Sequence, residues 1–133
     1  MDNVVIKDKT FVPYIKYEEL EKAFDKVAEQ ITADFKDSKE IPILLCVLNG
    51  SVMFCAELMK RLEFPVEFSS VRLASYEGTT STGVTRKVLG LTTAIKNRPV
   101  IVVEDIVDTG KTICDLYDLL MDAGAGQVKI CTM

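Results

Sequence analysis

Three carboxylates, Glu104, Asp105 and Asp108, followed by Thr109-Gly110-Lys111-Thr112, are the residues of this chain whose types and spacing best suit chemistry. The run before them, Val100-Ile101-Val102-Val103, is β-branched and uninterrupted, which fits a strand buried on both faces of a parallel sheet. In open α/β sheets ligands sit at the carboxyl ends of such strands. Ionised carboxylates are strong acceptors for O–H donors, so adjacent acids there suit a sugar with vicinal hydroxyls. Beyond the acids, Ile113, Leu116, Tyr117, Leu119 and Leu120 recur with a period near that of a helix. The loop therefore opens a helix, whose free N–H groups and positive dipole end suit a phosphate. Together these features describe a ribose-phosphate site. The Gly110-Lys111-Thr112 ending also invites a nucleotide-triphosphatase reading, but that loop needs a glycine five positions earlier, where this chain has Asp105. A carboxylate there would repel phosphate.

Composition narrows the field further. At 133 residues the chain is expected to form one domain, long enough to bury a sizeable core. A net charge of −4 argues against nucleic acid or an anionic membrane as the main partner. No apolar stretch is long enough for a bilayer and the first residues lack the apolar core of a signal peptide, so a cytoplasmic location is expected. With no histidine, the commonest general base, zinc ligand and nucleophile activator are all missing. Chemistry must then come from carboxylates, hydroxyls, lysines or a bound cation, which suits magnesium. Cys46, Cys55, Cys114 and Cys131 lie in apolar surroundings without Cys-x-x-Cys spacing and read as buried, reduced thiols.

The elements that position the acids follow from periodicity. Val4 to Ile6 reads as a short strand. Tyr17 to about Lys36 reads as an amphipathic helix, with Leu20, Phe24, Val27, Ala28, Ile31 and Phe35 on one face. Strands are predicted at Ile41–Leu48, Val66–Leu73, Val88–Thr92 and Gln127–Thr132, and a helix over Val52–Leu62. Ala74–Arg86 has no apolar periodicity and reads as a mobile loop, while Ala123-Gly124-Ala125-Gly126 should end the helix after the acids. Strand and helix alternate from Ile41 onward, which predicts an α/β fold with a parallel sheet flanked by helices.

Two more segments belong near the strand ends. Leu48-Asn49-Gly50-Ser51 follows a buried strand and opens a helix, which makes it a second anion cradle, although a plain turn is the commoner meaning of Asn-Gly after a strand. Ser75-Tyr76 stands at the start of the polar stretch and is either a lid or an exposed aromatic. A substrate with a phosphate at one end and a diphosphate at the other needs two anion cradles flanking a sugar clamp, with a lid to exclude water.

The run Glu104 to Thr112 resembles the signature of type I phosphoribosyltransferases, and with Leu48 to Ser51 and Ser75-Tyr76 it is similar to their hypoxanthine-guanine branch. The resemblance runs from about Val4 onward. It implies transfer of phosphoribosyl from phosphoribosyl pyrophosphate to hypoxanthine or guanine, giving the nucleoside monophosphate and pyrophosphate. It implies that Glu104 and Asp105 hold the ribose hydroxyls and, largely through ribose or water, magnesium. It further implies that Asp108 is the acid or base at purine N7 and that Asp108, Thr109, Gly110, Lys111 and Thr112 bind the 5′-phosphate. Leu48, Asn49 and Gly50 would bind pyrophosphate around a non-proline cis peptide, and Ser75 and Tyr76 would close over the site.

A homodimer or homotetramer is expected. The family's pattern continues past the strand at Gln127–Thr132 into a purine-reading lysine, a stacking aromatic and a magnesium-binding aspartate, none of which occurs here. A core lacking its C-terminal hood is therefore expected. The alternative is a non-catalytic regulator that binds phosphoribosyl pyrophosphate through the same fold, although such regulators usually carry a basic DNA-binding segment and this chain has none.

Overall fold

The computed structural model describes residues 2–77, 84–89, 91, 93–108 and 110–133, with the backbone alone at 74–77 and 84–89. In chain order its elements are β1 (Val4–Ile6), β2 (Lys9–Phe11), α1 (Tyr17–Phe35), β3 (Ile43–Leu48), α2 (Val52–Met59), β4 (Glu67–Glu77), β5 (Val84–Leu89), β6 (Pro99–Glu104), α3 (Lys111–Asp122) and β7 (Gln127–Thr132). β1 and β2 form a separate two-stranded sheet. The main sheet has the order β5-β4-β3-β6-β7. β3 pairs in parallel with β4 and β6, and β6 in parallel with β7.

The apolar runs of β3 and β6 are continuous because each strand feeds two cores. Leu44, Cys46, Ile101 and Val103 face Phe24, Ala28, Ile31 and Phe35 of α1 and Phe54, Cys55 and Leu58 of α2. Ile43, Leu45, Val47, Val100 and Val102 face Ile113, Leu116 and Leu120 of α3 on the other side. Full burial of one such side chain contributes about 1.5–3 kcal/mol, and both strands are therefore held rigidly up to their carboxyl ends. α1 starts where the Glu19 carboxylate accepts the Lys16 N–H at 2.9 Å. Arg61 ties the end of α2 to α1 through Asp25 at 2.7 Å and lies over the Phe24 ring at 5.4 Å.

The expected parallel sheet flanked by helices is formed by β4, β3, β6 and β7, and β5 adds to it antiparallel to β4. Two expectations need correcting. β4 extends through Glu77, so the Ser75 and Tyr76 backbone lies in a strand, paired with Arg86 and Thr85, and not in a loop. Polar stretches carry no period-2 apolar signal, and pairing with a neighbouring strand decides the matter. Residues 78–83 of the expected loop lie outside the described residues. Lastly, Cys114 is exposed while Cys46, Cys55 and Cys131 are buried. α3 buries Ile113, Leu116 and Leu120, and position 114 falls off that stripe.

Candidate functional site

β3 and β6 are neighbours, so the turns that follow them lie side by side at the carboxyl edge of the sheet. After β6, Glu104 is 9 % exposed and its Oε1 accepts the Asp105 N–H at 3.1 Å. Burial pushes the Glu104 carboxyl up to about 7, and hydrogen bonding with the Asp105 side chain adds to the rise. The same hydrogen bond holds Asp105 below its ordinary value, helped by the Ile106 N–H, which donates to Asp105 Oδ1 at 2.8 Å. The two acids therefore divide their roles by environment. Near neutral pH Asp105 is ionised and Glu104 is poised between its two forms.

A cavity of about 310 Å³ opens beside them, lined by Glu104, Ile106, Val107, Asp108, Gly110, Thr112 and Ile113. Asp108 is exposed there. Gly110 caps α3 with φ of 82°, a left-handed conformation that costs a side-chain-bearing residue about 1–2 kcal/mol. A Cβ added at Gly110 would meet no protein atom within 4 Å, so its backbone conformation, and not crowding by the protein, demands glycine. Lys111 and Thr112 form the first turn of α3. Thr109 lies outside the described residues.

The turn after β3 is built differently. The Leu48–Asn49 peptide is cis, as the resemblance implies. Ser51 is fully buried, and its hydroxyl donates to the Val47 carbonyl at 2.6 Å and lies 3.3 Å from Cys46 Sγ. That anchor fixes the loop onto the sheet from below. A Cβ at Gly50 would stand 2.8 Å from Asp105 Cγ, so any side chain there would have to displace the Asp105 carboxylate. The two turns thus touch at Gly50 and Asp105.

The geometry brings Leu48, Asn49, Gly50, Glu104, Asp105, Asp108, Gly110, Lys111 and Thr112 onto one sheet edge. Ser75 and Tyr76 continue β4 past Arg72, the last residue in register with β3. Among the described residues, no group of three or more His, Cys, Asp or Glu side chains gathers as a metal cage. Sequence reasoning placed Ser51 in the cradle without its role as the buried anchor, and it missed Arg72, which donates from Nη2 to Asn49 Oδ1 at 2.9 Å. The available signal for Arg72 was a charge between Val71 and Leu73, at the carboxyl end of an otherwise apolar strand.

A family model described as the phosphoribosyl transferase domain matches residues 15–133. The chain belongs to the phosphoribosyl transferase family. A hypoxanthine-guanine phosphoribosyltransferase from Streptococcus pneumoniae is 38 % identical over 120 residues, covering 90 % of this chain and 66 % of the relative. A hypoxanthine-guanine-xanthine phosphoribosyltransferase from Tritrichomonas foetus is 36 % identical over 116 residues, covering 87 % of this chain and 62 % of its own length. The crystal structure of a hypoxanthine-guanine phosphoribosyltransferase from Bacillus anthracis superposes with a TM-score of 0.80 at 32 % identity, covering 98 % of this chain and 74 % of that one. This phosphoribosyl transferase chain thus spans about two-thirds of the length of the curated relatives it matches.

Proposed function

We propose that the protein is a purine salvage enzyme that transfers phosphoribosyl from phosphoribosyl pyrophosphate to hypoxanthine or guanine, releasing pyrophosphate. The observation that carries this reading is the contact of the two turns at Gly50 and Asp105, which sets an acidic sugar clamp between two amide-rich loops. Glu104 and Asp105 hold the ribose hydroxyls, and Asp108, Thr109, Gly110, Lys111 and Thr112 take the 5′-phosphate at the start of α3. Leu48, Asn49 and Gly50 take the diphosphate. Ser75 and Tyr76, at the far end of β4, close over the bound substrate and keep water from competing with the purine.

Loss of pyrophosphate leaves positive charge on C1′ and the ring oxygen, which nearby carboxylates stabilise. Asp108 exchanges a proton at purine N7 as the bond to N9 forms. Two adjacent carboxylates, one of them held in its ionised form, are the hard oxygen donors that magnesium takes. Glu104 and Asp105 would hold the ion, largely through ribose or water, and when bound it supplies positive charge to the diphosphate.

The chain acts as one domain built on the shared sheet, as a cytoplasmic enzyme. The exposed apolar side chains Val5, Val12, Tyr14 and Ile15 around the β1–β2 hairpin favour assembly into a homodimer or homotetramer. Calorimetric titration with phosphoribosyl pyrophosphate and magnesium tests the binding half of this reading. Saturable binding is expected, and its absence would overturn the assignment. The transfer half is read as inosine or guanosine monophosphate formed by the natural protein, and formation of adenosine monophosphate instead would displace the purine assignment.

A further inference from the structure

The diphosphate loop has an electrostatic difficulty. Gly50 is backed directly by the Asp105 carboxylate, so an anion seated on Leu48–Gly50 meets a negative charge on one side. A cation on the other side would offset it. Three arginine side chains are described, and two of them are committed elsewhere: Arg61 to Glu57 at 2.6 Å and Asp25 at 2.7 Å, and Arg98 to Glu67 at 2.5 Å. Arg72 is in no ion pair among the described residues. Its Nη2 donates to the side-chain oxygen of Asn49, the central residue of the loop. Position 72 is in register with Leu48 on the neighbouring parallel strand, at the end of the β3–β4 pairing. Val71 is buried against the α3 core, so by strand alternation Arg72 leaves the sheet on the opposite face, from which α2 rises after the loop.

We propose that Arg72 is the cation of the diphosphate subsite: it positions Asn49 through one N–H and offers its remaining donors to the diphosphate. This rests on the phosphoribosyl pyrophosphate reading above. A guanidinium carries five N–H donors in a rigid fork, so one can stay on Asn49 while others engage phosphate oxygens. With no ion pair among the described residues, Arg72 can engage an incoming anion without first breaking one of those.

The test uses the 133-residue chain with two ligands and magnesium: inorganic pyrophosphate, whose loop contacts fall on the β3 turn, and inosine monophosphate, whose phosphate contacts fall on the β6 turn. Arg72→Gln is expected to weaken pyrophosphate about 10–100-fold, the scale of lost charge-assisted contacts, and inosine monophosphate less than about twofold. Arg72→Lys should recover part of the loss, since the charge returns without the fork. Asn49→Ala should also weaken pyrophosphate, and adding it to Arg72→Gln should cost little more, because the pair acts as one unit. Equal weakening of both ligands, or none, overturns the proposal. Wild-type chain that binds inosine monophosphate but not pyrophosphate overturns it too, while leaving the β6 half of the site standing. Failure to bind either ligand would instead sink the functional reading beneath it.

Discussion

The turns after β3 and β6 stand side by side, each leading from a buried parallel strand into a helix, yet they are opposites in composition. The β6 turn is acidic and exposed, and it ends in a left-handed glycine. The β3 turn carries no ionisable side chain between Leu48 and Ser51, and a buried hydroxyl pins it from below. Such a pair can receive a ligand of mixed character. Acids suit sugar hydroxyls and a metal ion, while a neutral loop of backbone amides suits a highly charged diphosphate. The helices also rise on opposite faces of the sheet, α2 over one core and α3 over the other. A substrate lying along the edge can therefore meet one helix start with each end.

The sharpest break between the turns should appear at Asp108. If it moves a proton at the purine, Asp108→Asn lowers turnover about 10²–10⁴-fold while phosphoribosyl pyrophosphate still binds. Steady-state rates beside calorimetric affinities check this, and near-normal turnover removes the acid turn from the chemistry.

The two glycines offer the next contrast, since one is needed for space and the other for conformation. Gly50→Val would drive a side chain into Asp105, so affinity for phosphoribosyl pyrophosphate should drop by about tenfold or more, the scale of an overpacked contact. Gly110→Ala meets no protein atom but must hold φ near 82°, so it should lower folding stability by about 1–2 kcal/mol. Gly110→Asn should cost less, because asparagine visits that conformation more readily. Denaturant melts and titrations on the three variants separate the effects. A stability loss at Gly50 with no binding loss would erase the distinction.

The smallest effect concerns the paired acids. Glu104 titrates near 7 in the fold against an ordinary 4.5. Between those values the folded protein keeps a proton that the unfolded chain releases, so this residue makes stability fall as pH rises from about 4.5 to about 7. Glu104→Gln should flatten that part of the profile, as seen in thermal midpoints across the range. Identical profiles for the two proteins would mean that Glu104 is ionised throughout.

The site's acidic half was legible because β6 is a β-branched run that stops abruptly at charge, and α3 announces itself through Ile113, Leu116 and Leu120. α1 was equally plain, its stripe of Phe24, Ala28, Ile31 and Phe35 lying where periodicity placed it. β2 was missed, since three exposed residues carry no pattern. β4 beyond Leu73 and the start of β5 were missed for a related reason: Ser75-Tyr76-Glu77 and Thr85-Arg86-Lys87 are polar, and only their pairing across the sheet makes them strands. Arg72 and the anchoring role of Ser51 escaped because their importance lies in partners. A hydroxyl that reaches back four residues and an arginine that reaches across to the next strand leave no local trace.

If the two turns divide one substrate between them, a crystal structure of the chain with phosphoribosyl pyrophosphate and magnesium will show it. The 5′-phosphate is expected at Gly110–Thr112, the ribose against Glu104 and Asp105, and the diphosphate on Leu48–Gly50. A substrate bound with its diphosphate at the start of α3, or away from this sheet edge altogether, would contradict it.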